Sequence, residues 1–171
     1  MSNSREKRLK PREFKLTDDQ VLDYLYRTAY DGSAMRTKML REKFDSILLK
    51  EISVKYDEMI GKDFGKKIRK QLKLGKTLKD ASIPSYVLHS QLLNSRIKKF
   101  RPGDRILISA CRWASLGRKL GLGDYCCDPC IVYHNSIVKA FDERFRIEFP
   151  RMLPKGDDVC EIVFSKMKLK G

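Results

Sequence analysis

The sequence predicts an α+β fold in which N-terminal amphipathic helices pack on a small antiparallel sheet formed by the C-terminal half. Three observations carry that expectation. Apolar residues between positions 16 and 100 recur mostly at helical spacing. Phe145, Ile147 and Phe149 alternate with Arg146 and Glu148, and Cys160, Ile162 and Phe164 alternate with Glu161 and Val163, as half-buried strands do. The run from Arg105 to Cys111 is rich in β-branched residues and reads as a central strand. A chain of 171 residues can bury a sizeable core, so residues 16–171 are expected to form one domain, with a helical half at 16–100 and a cysteine-bearing sheet half at 101–171.

Taken in order, residues 1–15 carry Arg5, Lys7, Arg8, Lys10, Arg12 and Lys15 with few apolar side chains, which predicts a mobile basic arm. Thr17-Asp18-Asp19-Gln20 has the pattern of a capping box, opening a first helix with Val21, Leu22 and Leu25 inward. Asp31-Gly32-Ser33 is expected to break it. A second helix should run from Ala34 to Ile60, with Leu40, Phe44, Ile47, Leu48, Glu51 and Ile52 close to helical spacing. A third, more basic helix is expected from Gly61 to near Gly75, with Phe64, Ile68 and Leu72 on one stripe. Ile83-Pro84 restarts a helix toward Asn94, placing Pro84 in its first turn.

Arg101-Pro102-Gly103-Asp104 is a turn signal that introduces the central strand. Gly117, Gly121 and Gly123 predict a loop over 114–125, and their spacing fits neither a phosphate loop nor a dinucleotide fingerprint. Asp128 as N-cap and Pro129 at the first helical position predict a helix carrying Ile131, His134, Ile137, Val138 and Phe141. The last two strands are joined by the turn Pro154 to Asp157. No internal repeat or low-complexity tract is visible.

The chain holds 37 Lys+Arg against 22 Asp+Glu, a formal charge of +15. Such a field attracts nucleic acid, anionic lipid, acidic protein or a small anionic molecule, while solvated helix faces produce the same composition. The excess is densest in the basic arm and at Lys62, Lys66, Lys67, Arg69, Lys70, Lys73, Lys76 and Lys79. Neither paired zinc-finger spacing nor an aromatic RNA-binding signature accompanies it. No apolar run approaches the roughly 18 residues of a membrane span, and the charged N-terminus lacks the apolar stretch of a signal peptide. A soluble, cytoplasmic protein is the expectation.

Cys111, Cys126, Cys127, Cys130 and Cys160 all fall after residue 110, with His134 among them. In a reducing compartment, grouped thiols point to metal binding, catalysis or redox sensing. Cys127 and Cys130 have the CxxC spacing of dithiols and soft-metal sites, and Cys130 and His134 are one helical turn apart. All five cysteines are therefore candidate ligands for a Zn or Fe ion, with His134 or water completing the set. Cys127 at a helix start is also a candidate nucleophile, with Asp128 and His134 as proton-moving groups. The alternatives are ordinary: Cys111 and Cys160 as small core residues, His134 as a hydrogen-bonded buried histidine, and Trp113 and Tyr133 as packing. His89 shows no partner in the sequence, and Asp157-Asp158 reads as a solvated turn.

The stretch 105–166 resembles the L-2-amino-thiazoline-4-carboxylic acid hydrolase family, and more distantly the 4-vinyl-reductase-like ligand-binding domains. The likeness lies in a strand ending at Cys111, the Cys127-Asp128 pair opening a helix, the strand Phe145 to Phe149, and the tail Gly156-Asp157-Asp158-Val159-Cys160-Glu161-Ile162-Val163-Phe164. The resemblance implies helices on an antiparallel sheet with a pocket near Cys111, Cys127, Asp128 and Cys160, and opening of a small cyclic thiazoline by water. This chain departs from it in the doubled Cys126-Cys127, the added Cys130 and the later Phe164.

Two functions from different classes follow. One is a small-molecule hydrolase whose basic surface draws in an anionic substrate. The other is a non-catalytic module that senses a ligand or metal through the thiols and binds nucleic acid or protein through its basic helical half. A thiol–disulfide oxidoreductase ranks third, because no βαβ context surrounds the CxxC.

Overall fold

The computed structural model describes residues 32, 35, 38–40, 42, 43, 46–122 and 127–167. The basic arm at 1–15, the Thr17 to Gln20 capping box with its helix, Phe44 and Cys126 lie outside the described residues. In chain order the elements are α1 (Ser46–Gln71), α2 (Leu78–Val87) running into a π-helical turn (Leu88–Leu92), β1 (Arg96–Arg101) and β2 (Arg105–Ala110). There follow α3 (Arg112–Lys119), α4 (Cys127–Lys139), β3 (Phe145–Arg151), a 3-10 turn (Leu153–Lys155) and β4 (Cys160–Lys166). The class is α+β, with a four-stranded antiparallel sheet in the C-terminal half.

α1 is one unbroken helix where two were expected. Gly61 does not end it, because Gly61 and Gly65 serve a different purpose. A Cβ at Gly61 would lie 2.5 Å from the Tyr133 carbonyl oxygen, and one at Gly65 would lie 2.7 Å from that of Ile137. The two glycines thus let the backbones of α1 and α4 approach closely. Their weak helix propensity, about 1 kcal/mol each, is offset by the packing that this approach allows. Gly32, expected in a break, is helical as well.

α2 begins at Leu78, not at Ile83. Thr77 Oγ1 accepts from the Asp80 N–H at 3.1 Å while the Asp80 carboxylate accepts from the Thr77 N–H at 3.1 Å, a complete capping box. Pro84 therefore lies inside the helix, fully buried, and not in its first turn. The helix widens into the π-turn and ends before Asn94, whose φ of +43° is left-handed. β1 was not foreseen. Register shifts on either side of Ile97 break its alternation, so no two-residue period shows. Pro102 and Gly103 form the hairpin turn as expected: Gly103 has φ +76°, and the Asp104 N–H donates to the Arg101 carbonyl at 3.0 Å.

The expected loop over 114–125 is replaced in its first part by α3, with Cys111 as its N-cap residue. Gly117 is buried inside this helix and Gly121, at φ +66°, lies just past its end. α4 starts at Cys127, two residues earlier than an Asp128 N-cap with Pro129 at the first helical position implies, so Asp128 lies in the first turn and is not the cap; the helix buries His134, Ile137 and Val138.

The sheet order is β1-β2-β4-β3, antiparallel throughout. On its inner face the pairs Ile97 and Ile108, Phe100 and Ile106, Ile106 and Ile162, and Ile147 and Phe164 build the core with α2 and α4. Ile106, Ile108 and Ile162 are fully buried, each contributing ~2–3 kcal/mol of hydrophobic stabilisation. On the outer face Glu161 is buried despite its place in the alternation, because Arg105 Nη1 at 2.9 Å and Arg151 Nε at 3.1 Å close over its carboxylate.

Candidate functional site

The end of β2, the start of α4 and the start of β4 bring Cys111, Cys127 and Cys160 into one buried neighbourhood. Sheet closure accounts for two of them, since Ile108 in β2 pairs with Cys160 in β4 and Cys111 follows β2 directly. The Cys160 thiol is pushed up to about 11, first by burial and further by the nearby Cys111, Cys127 and Asp157. The Leu153 N–H, donating to its sulfur at 3.2 Å, acts against that rise. Cys160 is thus a protonated thiol at neutral pH.

Of the other expected site residues, Asp128 turns toward α1. Asp128 meets Lys50 of α1, with Lys50 Nζ 2.8 Å from Asp128 Oδ2, on a partly exposed surface. Cys130 is half-buried. Among the described residues, no group of three or more His, Cys, Asp or Glu side chains is placed to hold a metal ion.

His134 is buried at 1% exposure and belongs to a different constellation. Its Nδ1 lies 2.9 Å from Ser85 Oγ of α2, and its Nε2 lies 3.2 Å from Nε2 of His89, itself 3% exposed. His89 Nδ1 in turn lies 3.2 Å from Ser95 Oγ. A neutral imidazole has one donor and one acceptor nitrogen, so the chain Ser85–His134–His89–Ser95 closes with either polarity. Burial holds His89 down at about 4, and burial together with His89 holds His134 well below 6.5. Phe149 and Tyr133 flank the His134 ring.

His89, Ser85 and Ser95 escaped the sequence reading, which gave His89 no partner. One signal was present: Ser85 and His89 are one helical turn apart, two polar side chains beside the apolar Ala81 and Leu88. His89 sits in the π-turn, a local widening often found at functional positions, and the neighbouring Ser90 Oγ is buried with no hydrogen-bond partner among the described residues.

A second candidate is a surface. The side of α1 turned away from α4 exposes Leu48, Ile52, Tyr56 and Met59, each between 50% and 63%. Lys62, Lys66, Lys67 and Lys70 follow and are exposed too. Lys62 meets Glu143 at 3.2 Å and Lys67 meets Asp63 at 2.7 Å. Among the described residues no helix is long and apolar enough to cross a membrane. Compared with known proteins, the chain matches no protein-family model and no curated protein sequence.

Proposed function

We propose that the chain is a non-catalytic binding module that takes an acidic protein partner on its basic helical half. The observation that carries this reading is the exposed row Leu48, Ile52, Tyr56 and Met59 running into lysines on the same helix. Aliphatic side chains exposed together beside a polar rim mark a protein contact. A single-stranded nucleic-acid surface would favour aromatic side chains and arginines on which bases stack, and a duplex backbone takes cations alone and gives the exposed aliphatic side chains nothing to cover them. Here the cations are lysines and three of the four apolar residues are aliphatic. The +15 charge selects an acidic partner and steers its approach.

The hydrolase expected from the family resemblance has less support. Hydrolysis needs an ionisable group that meets substrate. Cys127 is fully buried, Asp128 is paired with Lys50, and both ring nitrogens of His134 are engaged by Ser85 and His89.

Fluorescence anisotropy of labelled poly-L-glutamate and of a labelled DNA duplex, each titrated with the protein across a salt series, tests the reading. Tight polyglutamate binding that weakens steeply with salt, and is lost in the Lys66→Glu, Lys70→Glu double variant, supports it. Tighter binding of the duplex, or polyglutamate binding unchanged in the variant, sinks it.

A further inference from the structure

Resting on that reading, we infer that the partner presents an amphipathic helix lying lengthwise along α1. Its apolar residues seat on Leu48, Ile52, Tyr56 and Met59, and its Asp or Glu residues lie over Lys66 and Lys70.

The spacing supplies the first argument. From Leu48 the exposed residues continue at Ile52, Tyr56, Met59, Lys62, Lys66 and Lys70, every step three or four residues. Such steps keep all seven on one side of a helix, in a row ~33 Å long. The row is narrow and straight, the shape of a seam for a second helix. A helix seated in a lipid surface would show a broad apolar face along its whole length, whereas this row is apolar only in its first half.

The second argument is that α1 cannot rotate to bury the row. Gly61 and Gly65 lie on the opposite side of the helix with the α4 backbone against them. Any turn of α1 would bring bulkier side chains onto the Tyr133 and Ile137 carbonyls. The row therefore faces outward as a fixed feature of the core packing.

Charge supplies the third. Within the second half of the row Asp63 is the one acidic neighbour on α1, and Lys67 already holds it at 2.7 Å. Lys62 has Glu143 at 3.2 Å, leaving Lys66 and Lys70 as the cations directed at a partner. A second copy of this chain would bring another +15 to the contact. A helix with Asp or Glu at matching positions gains attraction there and fixes its register.

The test uses the full chain and two synthetic helical peptides. Both carry a leucine seam in one half, and the other half carries glutamates in one peptide and lysines in the second. Binding is read by anisotropy, mass by light scattering and fold by circular dichroism. Wild-type protein is expected to remain monomeric and to bind the glutamate peptide at least tenfold tighter than the lysine peptide. Ile52→Asp and, independently, Met59→Asp should each lose tenfold or more with an unchanged spectrum, because both side chains already face solvent. The double variant Lys66→Glu, Lys70→Glu should invert the preference between peptides.

If Ile52→Asp and Met59→Asp bind the glutamate peptide like wild type while the lysine variant does not, the acidic-partner reading stands and the seam is wrong. If wild type does not discriminate between the peptides, both fall. A dimer that Ile52→Asp dissociates would assign the seam to a second copy. Binding to phosphatidylserine vesicles without peptide binding would assign it to a membrane. Either outcome overturns the inference.

Discussion

Nε2 of His89 faces Nε2 of His134 at 3.2 Å, with the two ring planes within 6° of each other and both residues almost wholly buried. Two imidazoles so placed cannot both carry a proton on the facing nitrogens. One donates and one accepts, and with Ser85 and Ser95 at the ends the pair ties the C-terminal end of α2 to the middle of α4. The hydrogen-bonded neighbours of the two rings are serine hydroxyls, and the flanking rings are Tyr133 and Phe149, so no carboxylate in these contacts offsets a buried positive charge.

Acid should therefore weaken the fold through this pair. His89 has a folded-state value of about 4 and His134 lies well below 6.5, whereas an unfolded imidazole titrates near 6.5. Between those values the unfolded chain binds more protons, so stability is complete above pH 6.5 and falls as pH drops toward 4. His89 alone accounts for ~3 kcal/mol of that loss. Urea midpoints measured from pH 8 to 4 should show the decline, and His89→Gln or His134→Gln should flatten it. An unchanged slope in both variants would refute the assignment.

Asp57 of α1 is expected to act in the opposite direction. Burial raises its carboxyl from 3.8 to about 7, so the folded chain binds the extra proton across that window. Its effect is destabilising above pH 7 and fades as pH falls to 3.8. Asp57→Asn should raise stability at pH 8 by on the order of 1 kcal/mol, a value that allows for solvent reaching the half-buried carboxyl. The gain should vanish near pH 4. The histidine decline is accordingly best read in an Asp57→Asn background.

Gly65→Ala reverses the usual sign of a helix substitution. Alanine in place of glycine stabilises an open helix by about 1 kcal/mol. At this position the new methyl would meet the Ile137 carbonyl oxygen at 2.7 Å, and neither backbone can swing aside as a side chain would. Destabilisation of ~1–3 kcal/mol is expected in urea unfolding. A stabilised variant would show that α1 and α4 do not touch here.

The thiols should separate into two classes under native alkylation followed by peptide mapping. Cys111, Cys127 and Cys160 are at most 8% exposed, and Cys160 holds its proton up to about 11. All three should stay unmodified at pH 8 until the protein unfolds, while the half-buried Cys130 reacts ahead of them. Rapid native labelling of Cys160 would contradict its placement between β2, the 3-10 turn and α4.

β3, β4 and α4 were legible in the sequence because their periods are clean: Phe145, Ile147, Phe149 at one end and His134, Ile137, Val138 at the other. α1 was split in two because a glycine needed for close helix packing looks, residue by residue, like one that stops a helix. α3 was hidden by Gly117 for a similar reason, and β1 by bulges that erase its alternation. That Cys111 and Cys160 share a neighbourhood was implied by the family resemblance and by the shared ligand set, but no local spacing gives it, since their meeting depends on β2 pairing with β4. His89 was the largest omission. Its partner lies 45 residues away; the one-turn spacing of Ser85 and His89 marks a polar spot on the helix but does not point to His134, because that contact arises from packing α2 on α4.

The strand order has a consequence for how the chain is made. β2 and β3 do not touch; β4, last of the described strands in sequence, lies between them and pairs with both. A growing chain that has reached residue 159 can hold the β1–β2 hairpin and the helices, but it presents two unsatisfied strand edges flanking an empty slot. Such an intermediate is open to insertion by a foreign strand. The residues that fill the slot also bring Cys160 and Glu161, so final closure seals the thiol neighbourhood from one face and the Arg105–Arg151 clamp from the other in a single step.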